Sequence, residues 1–120
     1  MEINLGEVIN DIQHNGLGRD RLLEYLKIPQ YYIQSNVIMQ LVKANICDDV
    51  IVDQIFMLKD LNSKRDRMSG IYTLGHLSVA ALSKFNHTYA ITRYQEAMQS
   101  LDSVNKSLVE DLLNTDVFDK

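Results

Sequence analysis

A helical pattern of about 40 residues occurs twice between Ile33 and Leu101, and it constrains the fold more than any other feature of the chain. Such a period is typical of repeats made of two helices. At an offset of 41 residues, the aligned pairs are Ile33 with Leu74, Ile38 with Val79, Leu41 with Leu82, Lys43 with Lys84 and Asn45 with Asn86. At an offset of 40, the pairs are Val50 with Ala90, Ile51 with Ile91, Leu58 with Met98 and Leu61 with Leu101. A turn tolerates this one-residue difference, so the pattern predicts two similar helix-turn-helix units.

The rest of the chain also has a helical composition and helical periodicity. One proline and five glycines in 120 residues, with 46% hydrophobic and 23% charged residues, favour helices over many short strands. We therefore expect an all-α fold of about seven short helices in antiparallel pairs, in one domain over residues 1–120. The expected parts are a helix pair at 1–28, a first repeat at 30–62, a second repeat at 66–102 and a C-terminal helix at 103–114.

Capping residues predict where the helices begin and end. Asn4 and Glu7 have the spacing of a capping box before a first helix over 5–14. Asn45 is a good left-handed stop for the third helix, and Asp48 caps the fourth, which we expect to continue to residue 61. Thr88 and Ser103 are expected to cap the sixth and seventh helices. The fifth is expected over about 66–85, with a neighbouring helix crossing at Gly75.

The net charge of −4 is concentrated near the C-terminus. Residues 96–120 contain six acids and two lysines, whereas the first 95 residues contain ten acids and ten bases. This distribution favours a basic partner over nucleic acid, although a solvated helix face would have the same composition. The basic cluster Lys59, Lys64, Arg65 and Arg67 is interrupted by Asp60 and Asp66, which is typical of a solvated loop.

The sequence contains no pattern that identifies a reaction. Cys47 is the only cysteine, and Cys47 and His87 fall in corresponding turns of the two units, so an enzyme built on this pair is the least favoured of three hypotheses. His14, His76 and His87 are widely separated, and the acids near Asp48 lack the calcium-loop pattern. We expect no enzymatic activity, no metal and no cofactor.

The N-terminal residues lack the basic and apolar regions of a signal peptide, and the uninterrupted apolar runs are only a few residues long. These features predict a cytoplasmic protein without a membrane segment.

Over residues 30–102 the two-helix pattern resembles HEAT-type repeats in its period and apolar positions, without most of their proline and arginine landmarks. The resemblance implies a two-unit solenoid; an irregular bundle of the same helices is the alternative. In size, acidity and helical composition the whole chain also resembles the small bacterial immunity proteins of polymorphic toxins and contact-dependent growth-inhibition systems. That resemblance implies tight binding of one cognate toxin domain, often a basic nuclease, whose active site the immunity protein blocks.

The first hypothesis is this neutralising role, in which carboxylates pair with basic groups of the toxin and exposed tyrosines anchor the interface. Because Tyr31 and Tyr32 are adjacent, one of the two should point away from the core. The predicted partner-binding residues are Tyr31, Asp48, Asp49, Asp53, Glu96, Asp102, Glu110 and Asp111.

The second hypothesis is a generic helical adaptor or regulator that binds a partner helix or forms a homodimer. In that case Tyr32, Met57, Met68 and Met98 would matter more than the carboxylates.

Overall fold

The computed structural model describes residues 4–63, 66–69 and 71–118. Over these residues the chain is all-α, with seven helices and one short β-hairpin, which confirms the predicted fold class. The helices are α1 (Leu5–His14), α2 (Arg19–Leu26), α3 (Tyr31–Ala44), α4 (Asp49–Phe56), α5 (Leu74–Leu82), α6 (Thr88–Ser100) and α7 (Ser103–Leu113). A 3₁₀ segment (Met57–Asp60) follows α4, and the antiparallel strands are β1 (Arg67–Ser69) and β2 (Tyr72–Thr73).

Helix α5 lies at the centre of the molecule. All nine of its residues are buried, and it packs against α3, α4, α6, α7 and the 3₁₀ segment. The helix can be surrounded in this way because it is apolar on every side and contains the small residues Gly75, Ser78, Ala80 and Ala81. The N-terminal pair, α1 and α2, packs on α3.

The matched helices of the two units pack side by side. Helix α3 packs against α5, and α4 packs against α6. The turns that follow α3 and α5 also meet, because Asn45 Oδ1 accepts a hydrogen bond from the backbone N–H of Asn86 at 3.4 Å. Asn45 ends α3 in the left-handed conformation, with φ of 51°, as predicted.

The predicted fifth helix over 66–85 ends three residues early, at Leu82, and is wrong before Leu74. The chain forms the β-hairpin there, with Arg67 opposite Thr73 and Ser69 opposite Tyr72. Ile71, expected on the buried face of a helix, is exposed. The predicted polar link at 62–65 starts one residue early, because the 3₁₀ segment ends at Asp60; Lys64 and Arg65 lie outside the described residues.

A capping box fixes the start of α5 at Leu74. The Thr73 side chain accepts a hydrogen bond from the backbone N–H of His76 at 3.2 Å, and the Thr73 backbone N–H donates to His76 Nδ1 at 3.0 Å. Since Nδ1 is the acceptor of a backbone N–H, the imidazole hydrogen is on Nε2. Nε2 then donates to Asn105 Oδ1 at 2.7 Å, which ties α5 to α7.

Backbone, rather than a crossing helix, approaches Gly75. Its N–H donates to the carbonyl oxygen of Leu61 at 2.8 Å. A Cβ atom at this position would lie 2.8 Å from the carbonyl oxygens of both Lys59 and Leu61. Glycine therefore allows the end of the 3₁₀ segment to pack directly on the first turn of α5.

Several predicted helix ends differ slightly from the observed ones. Helix α4 stops at Phe56, short of the predicted residue 61. The N-terminal caps of α6 and α7 are His87 and Asp102, one residue before the predicted Thr88 and Ser103. The predicted caps Asn4 and Asp48 are confirmed, since each side chain accepts a backbone N–H.

None of the helices in the described part of the chain combines the length and the apolar character needed to cross a bilayer.

Candidate protein-binding surface

Helices α4 and α6 bring four of the predicted partner-binding residues onto one surface. Asp48, Asp49 and Asp53 come from the start and middle of α4, and Glu96 comes from α6. Arg93 of α6 contacts both Asp53 and Glu96, which shows that the carboxylates of the two helices are neighbours. We call this region the α4–α6 surface, and it consists of Asp48, Asp49, Val50, Asp53, Phe56, Met57, Tyr89, Arg93 and Glu96.

The N-terminal end of α4 holds one fixed and one exposed carboxylate. Asp48 Oδ1 accepts the backbone N–H of Ile51 at 2.9 Å, and Oδ2 accepts a hydrogen bond from Arg19 Nε at 2.6 Å. The Arg19 guanidinium, followed by the backbone N–H groups of α4, lowers the pKa of Asp48 below its usual value. The Asp49 side chain is 76% exposed, with one oxygen 3.8 Å from His87 Nε2. Asp49 is therefore the carboxylate most accessible to a partner at this end.

Arg93 organises the middle of the surface. Its guanidinium donates to Glu96 at 2.8 Å, lies 3.6 Å from Asp53 Oδ1 and is stacked 4.4 Å from the centre of the Phe56 ring. Its Nε also donates to the Tyr89 hydroxyl at 3.0 Å. The hydrogen bonds to Glu96 and then to Tyr89 raise the pKa of Arg93 above its usual value. This cation stays charged and holds both helices together.

Tyr89 connects Asp53 to the same network. Its hydroxyl donates to Asp53 Oδ1 at 2.6 Å, and this hydrogen bond raises the pKa of Tyr89. Asp53 thus has two partners within the chain, and its carboxylate has a fixed direction. Sequence analysis did not assign a role to Arg93 or Phe56; the only local signals were the spacings from Tyr89 to Arg93 and from Arg93 to Glu96, which place side chains together on a helix.

Two exposed apolar side chains flank these carboxylates. Val50 is 48% exposed and Met57 is 69% exposed. They are seven residues apart, on the same side as Asp53, so they lie roughly 10 Å from each other along the helix axis. Apolar side chains of this kind, surrounded by charged groups, are typical of protein interfaces.

The other four predicted residues lie away from this cluster. Asp102 caps α7, where its carboxylate accepts the backbone N–H of Asn105 at 2.8 Å. Asp111 and Glu110 are exposed on α7. The pKa of Tyr94 is raised, first by burial and then by the charge of Glu110, so Glu110 is near α6.

The exposed member of the tyrosine pair is Tyr32, at 54%, and not the predicted anchor Tyr31. Tyr31 is half-buried and donates its hydroxyl hydrogen to the carboxylate of buried Asp66. This contact joins the start of α3 to the segment before β1.

The methionines named for the adaptor hypothesis lie in different places. Met57 is on the α4–α6 surface, Met98 is partly buried against the core, and the side chain of Met68 lies outside what the structure describes.

The turns that contain Cys47 and His87 are adjacent, as the hydrogen bond between Asn86 and Asn45 shows. Burial, and then the charges of Asp48 and Asp49, raise the pKa of the Cys47 thiol to about 11. A nucleophilic cysteine requires the opposite shift, because the thiolate is the reactive form. The environment of Cys47 is that of an unreactive thiol.

An open groove of about 760 Å³ lies apart from the α4–α6 surface and shares no lining residue with it. One side of α3 lines it, between the end of α1 and the end of α7.

Comparison of the chain with protein-family models, curated proteins and solved structures finds no match. The site must therefore be interpreted from its own geometry.

The chemistry of the α4–α6 surface is set by its carboxylates and its exposed apolar side chains. Within residues 4–63, 66–69 and 71–118, no three His, Cys, Asp or Glu side chains are grouped as a metal site would require. The surface instead presents carboxylates whose directions are fixed by hydrogen bonds, beside apolar side chains that can be buried on contact.

Proposed function

We propose that this chain is a cytoplasmic binding protein, without enzymatic activity of its own, that docks on a basic protein through the α4–α6 surface. In its specific form, the proposal is that the partner is a cognate toxin domain, such as a nuclease, and that binding covers the toxin's active site. The observation that carries the proposal is the joining of carboxylates from two helices around Arg93, beside exposed Val50 and Met57.

The internal contacts of the surface favour tight binding. Because Arg93 and Tyr89 already hold Asp53 and Glu96 in place, little side-chain entropy is lost when a partner's lysine or arginine binds them. Val50 and Met57 would be buried at the centre of the contact, where apolar side chains contribute most of the binding free energy.

The carboxylates have different expected roles. Asp48 is neutralised by Arg19, and Asp53 and Glu96 share Arg93, whereas Asp49 is exposed and next to a histidine only. Long-range attraction acts mainly through the charge that is least compensated and most exposed. We therefore expect Asp49 to govern the association rate and Met57 to govern the dissociation rate.

The toxin part of the proposal is supported by the small size, acidity and all-helical structure of the chain, features that immunity proteins share. It is tested by expressing the product of the adjacent upstream reading frame in cells with and without this chain. We expect survival to depend on the chain, and a complex of the two proteins to be recovered from the lysate. A harmless neighbour, or death despite the chain, would contradict the immunity role.

Stopped-flow association tests the surface itself. Asp49→Lys should slow association with the toxin domain several-fold at low salt and make it less salt-dependent, and Met57→Asp should speed dissociation. Glu7→Lys is the matched control for Asp49→Lys, since both acids are exposed in the first turn of a helix. Val104→Asp is the control for Met57→Asp, since Val104 is 68% exposed on α7. If the test and control variants change the association and dissociation rates equally, the α4–α6 surface is not the binding site.

The alternative function is a generic helical adaptor or regulatory protein that binds a partner helix or self-associates. Association that is insensitive to salt and unchanged by Asp49→Lys would favour this alternative.

A further inference from the structure

The groove on α3 is formed by a complete helical stripe. The residues of α3 that line it recur at helical spacing over twelve residues, whose ends are about 16 Å apart along the axis. These residues are Tyr32, Ser35, Asn36, Met39, Gln40 and Lys43. In a packed helix such a stripe is normally covered by another helix. Here the end of α1 and the end of α7 border the stripe on its two sides, and no described helix lies across it.

Two polar side chains of this stripe, Ser35 and Asn36, are already hydrogen-bonded within the chain. Ser35 Oγ and Asn36 Nδ2 both donate to the carbonyl oxygen of Tyr32, at 3.1 and 2.8 Å, and Asn36 Oδ1 accepts from Gln13 Nε2 at 2.8 Å. The groove offers apolar surface mainly from Tyr32 and Met39, and the buried Leu77 and Leu112 also line it.

The charge of the groove specifies a second property of its ligand. Lys43 is exposed on the last turn of α3 and forms no ion pair with any residue that the structure describes. Asp116, the carboxylate on the α7 wall, already has an interaction within the chain. The groove therefore complements a ligand that carries a negative charge near Lys43.

We propose that this groove binds an amphipathic helix of about three turns from another protein, with its apolar stripe against Tyr32 and Met39 and an acidic residue opposite Lys43. The length of the stripe matches three turns, Tyr32 and Met39 favour an apolar ligand face, and Lys43 sets the sign of the charge. The groove shares no residue with the α4–α6 surface, so this second binding site does not depend on the proposed toxin binding.

Selection from a phage-displayed library of twelve-residue helical peptides, with the full chain as bait, tests the proposal. We expect enriched peptides to carry apolar residues at helical spacing and an acidic residue near one end. Tyr32→Asp should weaken their binding about tenfold or more. When the Lys43→Glu variant is the bait, the selected peptides should carry a basic residue at the position where peptides selected with the wild type carry the acidic one. Both side chains are exposed, so neither variant should disturb folding.

Met57→Asp is the control, because Met57 is also an exposed apolar residue but lies on the α4–α6 surface, and it should leave peptide binding unchanged. Failure to enrich any helical pattern, or equal binding to Tyr32→Asp and the wild type, would overturn the proposal. Sedimentation analysis of the chain alone checks for a second copy. Self-association that is abolished by Tyr32→Asp would show that the groove binds a second copy of this chain. That result would also overturn the proposal of a helix from another protein. Toxin protection by the Tyr32→Asp variant should be unaffected.

Discussion

At the scale of single residues, Gly75 has the most demanding position in the fold. It is not required for an unusual backbone angle; it is required because two carbonyl oxygens occupy the space where a side chain would be. The same contact supplies a hydrogen bond between Gly75 and Leu61. Substitution must therefore move the 3₁₀ segment away from α5, or strain both.

Gly75→Ala should lower the free energy of unfolding by about 1–3 kcal/mol, the usual cost of overpacking a rigid site. The measurement is urea denaturation followed by circular dichroism. Gly6→Ala is the control, because Gly6 is also helical but its Cβ would lie 3.6 Å from Asn4 Oδ1, an ordinary contact. There the change should be neutral or stabilising by up to about 1 kcal/mol. If both variants behave alike, the close approach at Gly75 is not an energetic constraint.

Cys47 gives a second prediction at this scale. Since the pKa of its thiol is raised to about 11, reaction with iodoacetamide should be slow at pH 7–8 and should accelerate only as the pH approaches that value. The rate is measured by mass spectrometry against free cysteine under the same conditions. Fast alkylation at neutral pH would revive the hypothesis of a catalytic Cys47.

At the scale of the elements, local signals predicted most helices and missed the hairpin. Asn4, Asn45 and Asp48 act within a few residues of their own helix ends, so their roles could be inferred from spacing. The start of α5 could not, because the residue that completes the capping box is a histidine in place of the usual Glu or Gln. In addition, the segment before β1 is held by the contact from Tyr31 to Asp66, across 35 residues of sequence.

The candidate site was also predicted only in part, because some of its contacts depend on residues far apart in the sequence. The repeat placed α4 near α6, and the carboxylates of α4 were singled out for their position and charge. The role of Arg93 could not be predicted, since it depends on the packing of α6 against Phe56 and Asp53. Asp102 was predicted to bind a partner from its charge alone, but its carboxylate caps α7.

The cap of α4 predicts a dependence of stability on pH. The pKa of Asp48 is lowered in the folded state from its usual 3.8, so the unfolded chain takes up a proton first as the solution is acidified. The contribution of Asp48 is therefore complete above about pH 4 and is lost as the pH falls through the lowered pKa. Asp48→Asn keeps an oxygen for the cap but loses the charge that attracts Arg19.

We expect Asp48→Asn to have a slightly lower Tm than the wild type at pH 7, and the two values to converge as the pH falls below about 4 and through the lowered pKa of Asp48. Thermal unfolding followed by circular dichroism across this pH range provides the measurement. A difference in Tm that stays constant over the whole range would show that the charge of Asp48 does not stabilise the fold.

At the scale of the whole molecule, stability is centred on α5, since the helices of both units and the C-terminal helix pack on it. Its amides can become accessible to solvent only when these contacts are lost together. Hydrogen exchange in the second half of α5 should therefore report the global free energy of unfolding, with faster exchange in α1, which lies at the edge of the fold. Exchange in α5 that is faster than global unfolding, measured by NMR, would contradict this central role.

The covering of α5 by α7 also bears on how such a chain can change in evolution. Helical arrays commonly grow by duplication of a unit at an open end, where the next helix finds an apolar face. Here the first helix of each unit already carries another helix: α1 and α2 pack on α3, and α7 packs on α5. A third unit would have to displace one of these helices and rebuild its contacts. We therefore expect relatives to differ from this chain in their loops and exposed side chains, and to keep the number of stacked units fixed at two.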